Sequence, residues 1–183
     1  MKTLYFATGN KDKFREAKEI LKGFSLKQIK IELPELQGHP EEVAREKARI
    51  AYKAIKKPVF VDDTGLAFNA LKGMPGIYIK HFLKAIGQKG LVRLLAGHKD
   101  KSAVAFASLG YCDGKQTNVF IGYCEGKIVP PKSKGYGFGF GWDPIFSPKG
   151  YKGTFATIKP EIKNIISHRR QALEAFCRHL QNA

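Results

Sequence analysis

Acidic residues are scarce in this chain: 16 Asp and Glu stand against 32 Lys and Arg in 183 residues, a formal net charge of +16 at pH 7. That balance points to an anionic partner, with nucleic acid, acidic lipid and nucleotides all qualifying, although excess lysine also serves as a solubilising surface or as heat adaptation. The basic residues are scattered rather than gathered in one tract, which weighs against nucleic acid. Cysteine is also sparse. Cys112, Cys124 and Cys177 are odd in number and share no CxxC spacing, which indicates neither a disulfide framework nor a zinc site; Cys112 and Cys124 could face each other across a hairpin, but buried thiols are the expectation. No apolar run approaches the roughly 18 residues of a membrane span, and the opening run Leu4 to Ala7 is too short for a signal peptide, so the expected setting is the cytoplasm. No linker, charge block or internal repeat divides residues 1–183, which are read as one domain whose 43% hydrophobic content suffices for a core.

What is present reads as strands interleaved with helices. "TLYFATGNKDKFREAKEILKGF" opens as a strand, breaks at Thr8-Gly9-Asn10, and continues with Phe14, Ala17, Leu21 and Phe24 at helical spacing. Pro40 starts a second amphipathic helix with Ala44, Ala48, Ala51 and Ile55 on one stripe and Glu42/Arg45 and Glu46/Arg49 pairs outside it. "PVFVDDTG" reads as a short buried strand that leaves the sheet at its acids, and Leu91 to Ala96 as a leucine-rich turn of helix. From Ser102 to Val129 the chain alternates as antiparallel strands around an Asp113-Gly114 hairpin turn. Ser167 precedes a last helix with Ala172, Leu173, Phe176 and Leu180 in register. The expected class is α/β, built on a mixed sheet.

Four stretches could carry chemistry. In "ATGNKDK" a strand ends at Thr8 and a helix begins near Lys11, so unpaired amides and the positive end of a helix dipole would face outward beside two lysines, as at an anion site. An ordinary strand-to-helix turn gives the same letters, and the Walker spacing is missing. Glu35 in "LPELQG" and the Asp62-Asp63 pair supply hard oxygen ligands of the kind that suit Mg²⁺, although a solvated turn explains the pair as well. Lys163, His168 and Arg169 fall together in "EIKNIISHRR". Finally, "GYGFGFGWDPIF" alternates Gly135, Gly137, Gly139 and Gly141 with Tyr136, Phe138, Phe140 and Trp142, then adds Asp143. Extended backbone would put all four rings on one face. The pattern fits a core strand crossed on its glycines, or a slot in which a planar ligand stacks on Phe140 or Trp142 while Asp143 reads its edge.

Together, "TGNKDK", "DDTG", "FGWDPIF" and "KNIISHR", in this order and spanning nearly the whole chain, resemble the inosine triphosphate pyrophosphatase family, enzymes that clear non-standard purine nucleoside triphosphates. The resemblance implies an elongated mixed β-sheet with flanking helices forming two lobes around a central nucleotide-binding cleft, Mg²⁺ dependence and a homodimer, with no membrane and no nucleic-acid partner. It implies that Thr8, Asn10 and Lys13 hold the triphosphate within a turn completed by Gly9, Lys11 and Asp12. Glu35 and Asp63 would bind metal with Asp62 beside them, Asp63 would activate water, and Thr64 would contact substrate. Phe140, Gly141, Trp142 and Asp143 would form the purine slot, closed by Lys163, His168 and Arg169; donor and acceptor complementarity separately makes Arg169 the candidate donor toward the purine C2 side. The implied reaction releases monophosphate and pyrophosphate from ITP, dITP or XTP by water attack on the α-phosphorus. The chain departs from the family pattern at Asp62, Thr64 and Trp142, and more strongly at Ile79-Lys80-His81 after the Pro-Gly element. Two other activities fit parts of the sequence: single-strand nucleic-acid binding through charge and rings, and a metal-dependent phosphatase releasing orthophosphate stepwise.

Overall fold

The computed structural model describes residues 3–131 and 137–182; Gly135 and Tyr136 of the glycine-aromatic stretch lie outside them. In chain order the elements are β1 (Thr3–Ala7), α1 (Lys11–Ile20), β2 (Ser25–Ile29), α2 (Pro40–Ile55), β3 (Val59–Phe68), β4 (Pro75–Gly76), α3 (Ile79–Arg93), β5 (Ser102–Cys112), β6 (Thr117–Ile128), β7 (Phe146–Pro148), α4 (Pro160–Ile166) and α5 (His168–Gln181). The strands form one mixed sheet in the order β2-β1-β3-β5-β6-β7, with β4 on β3. β1 runs parallel to both β2 and β3, while β4 and β7 are antiparallel to β3 and β6. This is the α/β class that the strand-helix interleaving predicts.

The chain divides into two compact units, residues 1–63, 107–122 and 168–183 in the first and 64–106 and 123–167 in the second. In the first, Leu4, Phe6, Phe60, Tyr111, Leu173 and Phe176 make a buried core, in which the Phe6 and Phe60 rings stack at 4.3 Å. The alanine stripe of α2 serves close approach: a Cβ built on Gly110 of β5 would lie 2.0 Å from the Ala44 carbonyl oxygen. In the second unit, Leu66, Phe68, Leu91, Trp142, Phe146 and Phe155 are the centre of another core.

Two elements run differently from the sequence reading. β3 does not leave the sheet at its acids but continues to Phe68, because Gly65 lets the Phe106 ring lie against the strand; a Cβ there would sit 2.0 Å from that ring. The helix read over Leu91 to Ala96 is α3, which starts at Ile79 and is interrupted at Gly87 (φ 65°), an arrangement hidden by weak amphipathic spacing and two internal glycines. The three cysteines are free thiols, and burial pushes the Cys124 thiol up to about 11 and the Cys177 thiol upward, so neither is poised as a nucleophile.

Candidate functional site

In the first unit the site begins where β1 stops. Phe6 pairs with Phe60, so extending the register brings Thr8 level with Asp62. Thr8 Oγ1 accepts the Asn10 amide at 3.1 Å, and Asn10 Oδ1 accepts the amides of Asp12 and Lys13 at 2.9 and 3.1 Å, capping α1. The expectation of unpaired amides is therefore corrected: these three are satisfied by side chains. Open space remains beside Gly9, where an added Cβ would meet no atom within 4 Å. The Lys13 ammonium donates to the Asp62 carbonyl at 2.7 Å. Burial lowers the Lys13 pKa, partly countered by the Asp62 carboxylate.

The two neighbouring acids part company because they lie inside a strand, where successive side chains point to opposite faces. Asp62 is turned into the interior, its side chain 3% exposed, and Oδ2 accepts from Arg169 Nε at 2.7 Å. Arg169 also donates through Nη1 to Glu16, whose side chain is 9% exposed. Burial by itself would raise the Asp62 pKa, but Arg169 and Lys13 outweigh it and hold the carboxyl below its usual value; burial would lower the Arg169 pKa, but the Asp62 and Glu16 carboxylates outweigh it and push it upward. Asp63 instead meets Lys47 Nζ at 2.9 Å, and Glu35 lies 3.7 Å from the same ammonium. Asp62, expected beside the metal ligands, is the buried partner of Arg169 and lies 3.9 Å from the Lys13 ammonium. Arg169, expected as a donor at a purine edge, is placed in a buried ion cluster with Asp62 and Glu16. His168, also 2% exposed, begins α5 in this unit, where its carbonyl would be 2.1 Å from a Cβ on Gly122.

Two of these participants were not legible beforehand. Lys47 sits between Ala44 and Ala51 on the buried stripe of α2, and a charged residue on an apolar stripe is the signal that marks it. Glu16, 6% exposed, carries no such mark in the sequence.

The second unit holds the glycine-aromatic loop, and from Gly137 onward it is not an extended strand. Gly139 and Gly141 adopt φ of +83° and +61°, conformations that favour glycine, and they turn the rings in different directions. Trp142, expected in the purine slot, is 7% exposed, edge-on to Phe146 at 5.7 Å and tilted against Phe155 at 6.4 Å. Asp143, expected to read the purine edge, is 3% exposed and anchors the loop. Its Oδ2 accepts from Lys163 Nζ at 2.6 Å and from the Phe140 amide at 2.8 Å. Phe140 stays half-buried, with the Lys163 ammonium 4.8 Å from its ring centroid. Thr64 is half-buried on β3.

Comparison with known proteins assigns this arrangement to a lineage. The Ham1 family model matches residues 4–179. The chain belongs to the Ham1 family. The inosine triphosphate pyrophosphatase of Yarrowia lipolytica is 49% identical over 176 residues, covering 94% of this chain and 92% of its own length. That of Tuber melanosporum is 47% identical with 94% and 93% covered. Among solved structures, this Ham1 chain is similar to the Staphylococcus aureus Ham1 protein, with a TM-score of 0.85, 30% identity and 99% of each chain covered. It is similar also to a HAM1 protein from Coxiella burnetii, with a TM-score of 0.86, 30% identity and 100% of each covered.

Proposed function

We propose that this Ham1 chain hydrolyses non-standard purine nucleoside triphosphates, ITP, dITP and XTP, to the monophosphate and pyrophosphate. The observation that carries the chemistry is the convergence of Glu35 and Asp63 on one cationic position, that of Lys47 Nζ, near enough to Lys13 for Asp63 and Lys47 both to act on its charge. Two carboxylates meeting at a cation suit Mg²⁺, which takes one or two such ligands and completes its shell with water and substrate phosphate. Among the described residues no cluster of three or more metal-ligating side chains exists, so the fit rests on this pair with substrate oxygens added. Bound there, Mg²⁺ would supply charge neutralisation on the departing pyrophosphate.

The chain's own residues have the following roles in this proposal. Lys13 and Lys47 present positive charge to the polyphosphate, and the capped α1 turn with its open flank at Gly9 receives it. Asp63, 38% exposed where Asp62 is enclosed, takes the proton of the attacking water at a carboxylate oxygen, and the new bond forms at the α-phosphorus as the bond to the bridging oxygen breaks. The Arg169–Asp62–Glu16 cluster fixes the segment of β3 that carries Asp63. Taken by itself, the second unit has at Phe140 a ring surface with the Lys163 ammonium 4.8 Å from its centroid, a combination that suits a purine with a 6-oxo acceptor over the 6-amino donor of adenine. Stacking binds any purine; the charge selects.

The test is incubation with ITP, XTP, dITP and ATP in Mg²⁺, with and without EDTA, followed by product separation. Monophosphate and pyrophosphate from the oxopurines, slow turnover of ATP and no turnover in EDTA are expected. Diphosphate with orthophosphate would instead support a stepwise phosphatase. We also propose, from the family resemblance, a homodimer working in the cytoplasm.

A further inference from the structure

We infer that Gln88, on the far side of the break in α3, is a positioning residue for the loop that carries Phe140. Gln88 Nε2 donates to the Gly141 carbonyl at 2.8 Å, a bond that joins residues 53 positions apart. Only the amide nitrogen can make it, since the acceptor is a carbonyl. Gly141 has φ +61°, so its carbonyl is presented in a direction that a non-glycine residue rarely allows, and Leu83 of α3 approaches the same residue, 3.9 Å from a Cβ built there. α3 therefore touches the loop at Gly141 with one apolar and one polar contact.

The break in α3 has a purpose under this reading. Gly87 adopts φ +65° with ψ −179°, while a Cβ added to it would meet no atom within 4 Å. Crowding does not explain the glycine; the left-handed backbone does. That turn starts a new helical segment at Gln88 and leaves a groove of about 560 Å³, lined by Leu83, Ile86, Gly87, Gln88, Arg93 and Gly141 among others. Within the loop, Phe140 and Asp143 bond one another through amide-to-carboxylate and amide-to-carbonyl contacts, and Lys163 holds Asp143 from α4. Lys163 thus ties the loop from α4 at Asp143 and Gln88 ties it from α3 at Gly141, so both ties fall within the three residues that follow Phe140. Holding the ring in place before substrate arrives lowers the ordering cost of binding, which acts on KM rather than on the chemical step.

The consequence for turnover rests on the proposed reaction, but the positioning does not, and the experiment separates them. Gln88→Glu keeps the shape while replacing the donor by an oxygen facing an oxygen; Gln88→Met removes the donor without charge; Gly87→Ala disturbs the turn and leaves the donor in place. In the substrate-free protein, amide hydrogen exchange of residues 138–143 and the fluorescence of Trp142, the single tryptophan of the chain, report the loop directly. All three variants are expected to exchange faster in that segment, with an altered Trp142 spectrum and amides elsewhere unchanged. With ITP, KM is expected to rise about two- to tenfold, the range for one hydrogen bond, with kcat within about twofold. Unchanged exchange and fluorescence in Gln88→Glu and Gln88→Met would overturn the positioning role, as would kcat and melting temperature falling together with KM unmoved. Faster exchange in a protein that hydrolyses no nucleotide would leave the tie standing and remove the proposed reaction instead.

Discussion

At the residue scale the separation of Asp62 from Asp63 carries the largest consequences. Asp63→Asn removes the proposed base and leaves its shape, so kcat for ITP is expected to fall about 10²–10⁴-fold while the urea midpoint moves little, because Asp63 is 38% exposed. A kcat within a few-fold of the parent would remove Asp63 from the reaction. Arg169 behaves oppositely: Arg169→Met leaves Glu16 buried without this cation and Asp62 with only the more distant Lys13, at a cost of about 3–5 kcal/mol in urea unfolding. An unchanged unfolding midpoint would show that the cluster is not structural. The pH dependence follows from the same cluster. The Asp62 carboxyl sits below its unfolded value of 3.8, so its stabilising contribution is complete above that pH and is lost as pH falls through the folded value. Asp62→Asn is expected to flatten the acid limb of the stability–pH curve below about pH 4, near the usual Asp pKa, measured by urea unfolding at stepped pH. An acid limb of undiminished slope would contradict the assignment.

At the element scale the sequence reveals most where periodicity is strict. β1, α1, α2, the β5–β6 hairpin and α5 all coincide with runs of regular apolar spacing, bounded by Asn10, Pro40 or Asp113-Gly114. What was hidden depends on neighbours that a one-dimensional pattern does not contain. β3 extends past its acids because Phe106 comes to rest on Gly65, and the glycine-aromatic loop curls because Asp143 binds back to the Phe140 amide. A Cβ on Gly139 would meet Asp143 Oδ2 at 2.7 Å, so the glycine there serves that close approach rather than a ring-lined strand. The burial of Trp142, Asp143 and Arg169 was likewise hidden, because it depends on the fold around them and not on their letters. The tight contact of α2 with β5 gives a test at this scale. Gly110→Ala would force a methyl to 2.0 Å from the Ala44 carbonyl oxygen, and backbone cannot swing aside as a flexible side chain can. A loss of about 1–3 kcal/mol is expected, seen as a melting temperature lower by roughly 2–12 °C in calorimetry. A melting temperature equal to the parent's would mean that the contact relaxes freely.

At the scale of the whole molecule, a net charge of +16 meets a polyanionic substrate. Long-range attraction of this kind is screened within about 10 Å at 0.1 M salt, so kcat/KM for ITP is expected to fall as NaCl is raised at fixed free Mg²⁺, with kcat much less affected. A flat kcat/KM profile would assign the basic surface to solubility alone. The central claim is that water attacks the α-phosphorus of an oxopurine triphosphate, and hydrolysis of ITP in water enriched in heavy oxygen tests it most directly. Mass spectrometry of the products should find the label in inosine monophosphate and not in pyrophosphate. Label in pyrophosphate, or in free orthophosphate, would contradict the proposed reaction.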